Sequence, residues 1–284
     1  MIWIIGNNGM LGKELSALCD SAGIPYVGSD RECDITDVEA LRSFAAGKDV
    51  KWIVNCSAYT AVDKAEDEET LAYAINAAGA VNIAIVASET GAKMIHISTD
   101  YVFGGDGSRP YKEDDPVNPT GAYGRTKYAG EEFVRKHCSS HIIIRTAWLY
   151  GRHGKNFVET MLRLFREKGF AGVVCDQRGT PTWAYDLASA IVFFIRHDFS
   201  GYGTYHFTDD GETNWYEFAC EIRRIAVEKG IIKDDVRVNS LTTEQFPTRA
   251  VRPKYSVLDK TKIKSAGVEV PEWKKSLTRY MENS

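Results

Sequence analysis

The chain opens on four apolar positions, Ile2-Trp3-Ile4-Ile5, and then breaks into Gly6-Asn7-Asn8-Gly9-Met10-Leu11-Gly12. Leu11, Leu15 and Leu18 follow at helical spacing, so this stretch predicts a strand, a glycine turn and a helix. The alternation continues. Ile24-Pro25-Tyr26-Val27 predicts a second strand, Val38 to Ala45 a helix, Trp52-Ile53-Val54 a third strand, Leu71 to Thr90 a long alanine-rich helix, and Lys93 to Ile97 a fourth strand. His141-Ile142-Ile143-Ile144-Arg145 has the unbroken apolar run of a strand covered on both faces. Strands that alternate with helices in this way predict an α/β fold, a doubly wound parallel sheet of Rossmann type with right-handed crossovers.

Beyond Gly151 the pattern is mixed. Helices are expected near Asn156 to Glu167, Tyr185 to Arg196 and Trp215 to Lys229, with a short strand near Val173 to Cys175. Residues 1–150 are therefore expected to form a dinucleotide-binding domain to which about 176–200 also belong. Residues 151–284 are expected to form mainly a smaller, partly interleaved substrate lobe.

The first strand-to-helix turn carries the first piece of chemistry. Gly6 permits a tight turn, Gly9 lets the backbone approach a pyrophosphate, Gly12 allows the helix to pack closely, and the helix N-terminus faces the anion. The second strand leads into Asp30-Arg31. An acidic residue there favours a ribose hydroxyl and NAD, an arginine the 2′-phosphate of NADP, so both NADPH and NADH stay open. Asp34 and Ile35 either border an adenine, or Asp34 or Thr36 caps the helix around Val38. Asn76 and Asn82, in the long helix, read as solvated or capping side chains rather than ligands.

The second piece is Ser98-Thr99-Asp100-Tyr101 at the end of the fourth strand, followed by Tyr123-Gly124-Arg125-Thr126-Lys127. A Tyr and a Lys four positions apart share one helix face, so the Lys127 ammonium is expected near the Tyr123 phenol, lowering its pKa. Thr99 is placed to bind the oxygen that Tyr123 protonates. Together they form a candidate site for carbonyl reduction or alcohol oxidation.

Composition narrows the classes. With 35 basic against 39 acidic residues, a net charge of −4 gives no electrostatic case for nucleic acid. Six scattered cysteines without a Cys-x-x-Cys pair predict reduced thiols and no zinc site. No apolar run is expected to cross a membrane, and cytoplasmic residence is the expectation.

These motifs resemble the extended short-chain dehydrogenase/reductases, and within them the dTDP-4-dehydrorhamnose reductase family, over nearly the whole chain. The resemblance runs through Gly6 to Gly12, Ala58-Tyr59-Thr60-Ala61-Val62-Asp63-Lys64-Ala65-Glu66, Ser98 to Phe103, Tyr123 to Lys127, Arg145 to Tyr150, Asp176 to Thr182 and Arg252-Pro253. It implies Thr99, Tyr123 and Lys127 as a catalytic triad, with Lys127 also on the nicotinamide ribose. It implies Gly6, Gly9, Met10, Leu11, Asp34, Ile35, Ala58, Tyr59 and Thr60 along the dinucleotide, and Tyr101 and Trp148 against the sugar. The implied reaction is hydride transfer from NADPH or NADH to C4 of dTDP-4-dehydro-L-rhamnose. By charge, Arg252 is either a diphosphate partner or a surface arginine.

Met10 and Tyr255 depart from the family, which often has Gln and Asn there. Some members are metal-bridged dimers; Glu14 is available but Tyr185 stands where a second carboxylate is expected, so no metal is predicted and a homodimer stays open. Two rival readings remain. One is a nucleotide-sugar epimerase or dehydratase with tightly held NAD, although Tyr101 replaces the glutamate that dehydratases place after the Asp. The other is a non-catalytic dinucleotide-binding regulatory subunit.

Overall fold

Residues 1–282 are described by the computed structural model. Five strands, β1 (Ile2–Ile5), β2 (Tyr26–Ser29), β3 (Trp52–Asn55), β4 (Lys93–Thr99) and β5 (His141–Thr146), are joined by a sixth, Gly203–His206, in one parallel sheet. Only β2 lies on the far side of β1, and every later strand adds on the other edge. The order therefore reverses between β1 and β3, which opens a crevice at the carboxyl ends of those strands. The sheet matches the expected doubly wound α/β class.

Alternation along each strand feeds two cores. Ile2 and Ile4 point into the layer made with α1 (Met10–Ser21) and α8 (Ala184–Arg196). Trp3 and Ile5 point the other way, toward α2 (Val38–Ala45) and α5 (Gly79–Thr90), where Leu41, Ile83 and Val134 close the layer. α3 (Val62–Ala65), α4 (Glu69–Tyr73) and α6 (Ala122–His137) complete this side. A third core belongs to the second lobe, where α7 (Phe157–Lys168), α9 (Trp215–Glu228) and the helix Trp273–Glu282 pack around Tyr150, Phe165, Phe218 and Tyr280. Phe170–Val174 and Arg237–Leu241 form a parallel pair at its rim.

Three sequence expectations are corrected here. The cap of α2 is Asp37, whose side chain accepts from the amides of Glu39 and Ala40; Asp34 instead folds back to accept from the amide and hydroxyl of Thr36. The long alanine-rich helix is interrupted by a π-helical turn, Ala74–Ala78, between α4 and α5. This stretch, Glu69–Thr90, is 22 residues long and apolar enough to cross a membrane by length and composition, contrary to the expectation of none. Half of it is buried in the fold, and a helix covered on several sides is apolar all round for that reason.

His206 lies fully buried beside Arg145, with Nδ1 3.1 Å from the carbonyl of Tyr111. Burial, reinforced by the Arg145 charge, pushes its pKa down to about 3. The unfolded chain then binds the extra proton between about pH 6.5 and 3, so stability is lost as pH falls through 6.5. Relative to His206→Gln, the wild-type protein should lose up to about 1.4 kcal/mol more per pH unit between pH 6 and 4. Chemical denaturation at several pH values checks this, and parallel profiles would mean that His206 is charged in the fold.

Candidate active site

A cleft of about 1360 Å³ runs over the carboxyl ends of β1 to β5. At one end is the glycine turn. Gly6 has φ +78°, and a Cβ on Gly12 would fall 2.2 Å from the Gly6 carbonyl oxygen, so α1 starts in direct contact with the turn that feeds it. Gly9 is the N-cap of α1 and contributes no side-chain bond, which leaves the first helix amides facing an anion position. Met10 opens α1, and its side chain reaches across to Gly151 on the facing loop. Asp30 and Arg31 follow β2 on the rim, and Asp34 and Ile35 stand farther along. Ile35 is held by Asn82, which donates to its carbonyl at 3.0 Å, and by packing on Gly79.

The middle of the cleft is the loop after β3, with Ala58, Tyr59 and Thr60 in its wall. Asn76 fixes this loop. From the π-helical turn, its Oδ1 accepts from the Tyr59 amide at 2.9 Å, and its Nδ2 donates to the Tyr59 carbonyl and to Thr126 Oγ1. Asn76 is 1% exposed, so the expectation of a solvated or capping asparagine is overturned. An extra residue in the helix swings this side chain inward, as π-turns at functional sites commonly do.

Thr99, Tyr101, Tyr123 and Lys127 line the same cleft. Thr99 ends β4, and its hydroxyl accepts from the Tyr101 amide at 3.2 Å. Tyr123 lies on the first turn of α6, whose N-terminal amide at Ala122 is capped by Glu66 at 2.8 Å. Close approach is needed here, since a Cβ on Gly124 would lie 2.2 Å from the Tyr101 carbonyl oxygen. The rings of Tyr101 and Tyr123 meet edge to face, 5.5 Å apart.

The ammonium does not act as expected. Lys127 Nζ donates to the carbonyl of Ile97 at 2.6 Å, and burial lowers its pKa to about 8 against the pull of Glu131 and Cys56. Tyr123 has its pKa raised, first by burial and then by the charge of Asp100, with the Thr99 hydroxyl opposing. Thus the phenol holds its proton firmly at neutral pH.

Trp148 forms the far wall at φ +49°, a conformation that bulky side chains rarely adopt. It is clamped. One side lies against Gly179, and the other stacks on Trp215 with centroids 3.7 Å apart. Trp215, with Lys155, is a cleft residue that sequence reasoning missed; the only local sign was an aromatic at the start of a helix after the capping residue Asn214. Arg252 does not line the cleft. It stands behind Tyr101, donating to its hydroxyl at 3.0 Å and pairing with Asp63 at 2.6 Å. Tyr255 lies away from the cleft, its hydroxyl 3.5 Å from Glu212. Glu14 is buried in α1 with Oε1 unpartnered, and Tyr185 stacks on Trp183. Among the described residues no three acidic, His or Cys side chains are grouped to hold a metal.

A family model described as "RmlD substrate binding domain" matches residues 1–284. The chain belongs to this family. It is 42% identical over 283 residues to a dTDP-4-dehydrorhamnose reductase of Streptomyces griseus, covering 97% of this chain and 91% of that one. A crystal structure of a dTDP-4-dehydrorhamnose reductase from Clostridium acetobutylicum superposes with a TM-score of 0.93 at 44% identity, covering 99% and 98% of the two chains. One from Bacillus anthracis, in complex with NADP, gives 0.92 at 38% identity, covering 100% and 99%.

The clamp on Trp148 is testable. Trp215→Ala should cost about 1 kcal/mol beyond its lost burial and release Trp148 from positive φ. Near-ultraviolet circular dichroism reads the stacked pair directly, and an unchanged spectrum would show that the rings do not stack in solution.

Proposed function

We propose that this protein reduces the C4 keto group of dTDP-4-dehydro-L-rhamnose to give dTDP-L-rhamnose, with NADPH or NADH as the reductant. The observation that carries this reading is that one cleft is lined both by Thr99, Tyr123 and Lys127 and by a helix N-terminus without a side-chain cap, in a chain of this family.

The residues present fit a dinucleotide. A Cβ on Gly9 would approach only the Gly6 carbonyl oxygen, at 3.2 Å, so the side of Gly9 turned to the cleft is free for a pyrophosphate. Gly6, Gly9, Met10 and Leu11 hold the diphosphate, Asp30 and Arg31 the adenine ribose, Asp34 and Ile35 the adenine, and Ala58 to Thr60 the central backbone. Lys127 serves the nicotinamide ribose. Gly12 contributes by letting α1 reach the turn. When bound, the cofactor supplies a hydride.

The rest is done by the chain's own groups. Thr99 and Tyr123 orient the carbonyl oxygen, and Tyr123, kept protonated by burial, donates its proton as negative charge develops there. Tyr101 and Trp148 flank the sugar ring. Arg252 acts through Tyr101, fixing the hydroxyl of that ring. In this division of labour the six-stranded unit holds the cofactor, and the second lobe reaches the sugar through Trp215. Cytoplasmic residence and a homodimer accompany the reading; Glu14 with Tyr185 does not make a metal-bridging set, and no step passes through a metal.

The deciding experiment mixes purified protein with enzymatically made dTDP-4-dehydro-L-rhamnose and each reduced cofactor in turn. Stoichiometric cofactor oxidation with dTDP-L-rhamnose formed is the expected result. Cofactor that stays bound without net oxidation would instead indicate an epimerase. Tyr123→Phe should lower kcat at least about a hundredfold while cofactor affinity is retained. Lys127→Ala should weaken both, and an unchanged affinity for NADPH by fluorescence titration would remove the ribose contact.

A further inference from the structure

Asp100 is the one buried carboxyl in the cleft wall to which the reaction above gives no task. It is 2% exposed, it follows Thr99 directly, and its Oδ2 has no hydrogen-bond partner. Its Oδ1 accepts from the Thr99 hydroxyl at 2.9 Å. The Thr99 oxygen in turn accepts from the Tyr101 amide and faces the Tyr123 phenol. With the Thr99 proton turned from Asp100 to the phenol, a line of exchangeable protons runs from the carboxyl through one hydroxyl to the acid that serves the substrate.

We propose that Asp100 is the proton store behind Tyr123, its carboxyl proton passing through the Thr99 hydroxyl to the phenolate once Tyr123 has protonated the substrate oxygen. The inference rests on the reductase reading. The bookkeeping of the step balances. An O–H bond forms at the substrate oxygen as the phenol O–H breaks; the phenolate takes the Thr99 proton, and Thr99 takes that of Asp100. The carboxylate left behind regains a proton from water when product leaves. One proton is consumed per carbonyl reduced, and the electron pair arrives with the hydride.

The surroundings suit a store rather than an ion-pair partner. Burial raises the Asp100 pKa to about 6, while Ser256 from the C-terminal segment and Thr99 lower it. Tyr101 from its own turn and Tyr123 from α6 are the titratable groups that feel its charge. The nearest cations are engaged elsewhere, Arg252 with Asp63 and Lys127 with the Ile97 carbonyl. The structural duty of Asp100, accepting from the Phe103 amide, falls on its backbone carbonyl, so an asparagine preserves it.

The test compares kcat from pH 5 to 9 for the wild-type protein, Asp100→Asn and Ser256→Ala, alongside infrared titration of the protonated carboxyl in cofactor-free protein. Wild-type kcat should fall along a basic limb. Asp100→Asn should lower kcat at least about tenfold at pH 6, flatten the limb and leave KM within about twofold. Ser256→Ala should move the limb and the infrared midpoint upward together, which keeps the test intact if Asp100→Asn does not fold. A limb that survives in Asp100→Asn, or stays fixed while the infrared midpoint moves, overturns the relay alone. Wild-type protein inert toward the 4-keto sugar overturns the reductase reading and the relay with it.

Discussion

The part of the cleft lined by Thr99, Tyr123 and Lys127 depends on one buried ion pair. Glu131, one turn beyond Lys127 on α6, is fully buried, and Arg145 on β5 is 2% exposed. They meet through two parallel bonds of 2.8 and 2.9 Å, and Ser98 on β4 donates to the same carboxylate. Burial pushes the Glu131 pKa up, but Arg145, Arg135 and Ser98 outweigh it and hold the carboxyl ionised. The pair ties two strands to the helix that carries Tyr123 and Lys127. Breaking such a buried pair by removing one partner costs about 3–5 kcal/mol, because the remaining charge is left without compensation. Its value to the site is geometric. The same helix carries Tyr123 and holds the Lys127 ammonium against the Ile97 carbonyl, and Glu131 anchors it to the strands that end in Thr99 and Thr146.

That anchoring also explains why the lysine and the tyrosine act differently from a simple pair. Spacing of four places the two side chains on one face, and the ammonium was expected to lower the pKa of the phenol. The strand-end carbonyl of Ile97 captures the ammonium first. With the lysine so engaged and the phenol buried, Tyr123 keeps its proton, the state from which a tyrosine can donate to a carbonyl oxygen.

What could be read from the sequence was what is encoded locally. The glycine turn, the strand ending in Thr99 and the helix starting near Tyr123 each lie within a dozen residues, and they come together because parallel strands present their carboxyl ends on one edge. The cap of α2 was misplaced because Asp34, Thr36 and Asp37 are all capable within four positions, and only the chain's path selects the last. Asn76, Glu66 and Trp215 were missed or misread for a different reason. Their partners lie 17 to 56 residues away for Asn76 and Glu66, and across the lobe boundary for Trp215. No local spacing announces such pairings. Arg252 was read as either a diphosphate partner or a surface arginine, and the Asp63 it pairs with, 189 positions away in sequence, could not be read locally.

The π-turn at Ala74–Ala78 has a consequence for how this chain can change. A π-turn holds one residue more than the α-helix would need, and each residue added to a helix rotates everything after it by about 100°. The small residues of α5 that nest against the sheet, Ala80, Ala84 and Ala87, keep their facing only because that surplus is present. Substitutions along the outer surface of this helix are therefore cheap, whereas the loss or gain of a single residue between Glu69 and Ala78 would turn one end out of phase with the other. Either Asn76 would leave the backbone of Tyr59 or the alanine seam would leave the sheet. Length in this segment is fixed more tightly than identity, so lineages of the protein should vary here by exchange of side chains and hardly ever by insertion or deletion.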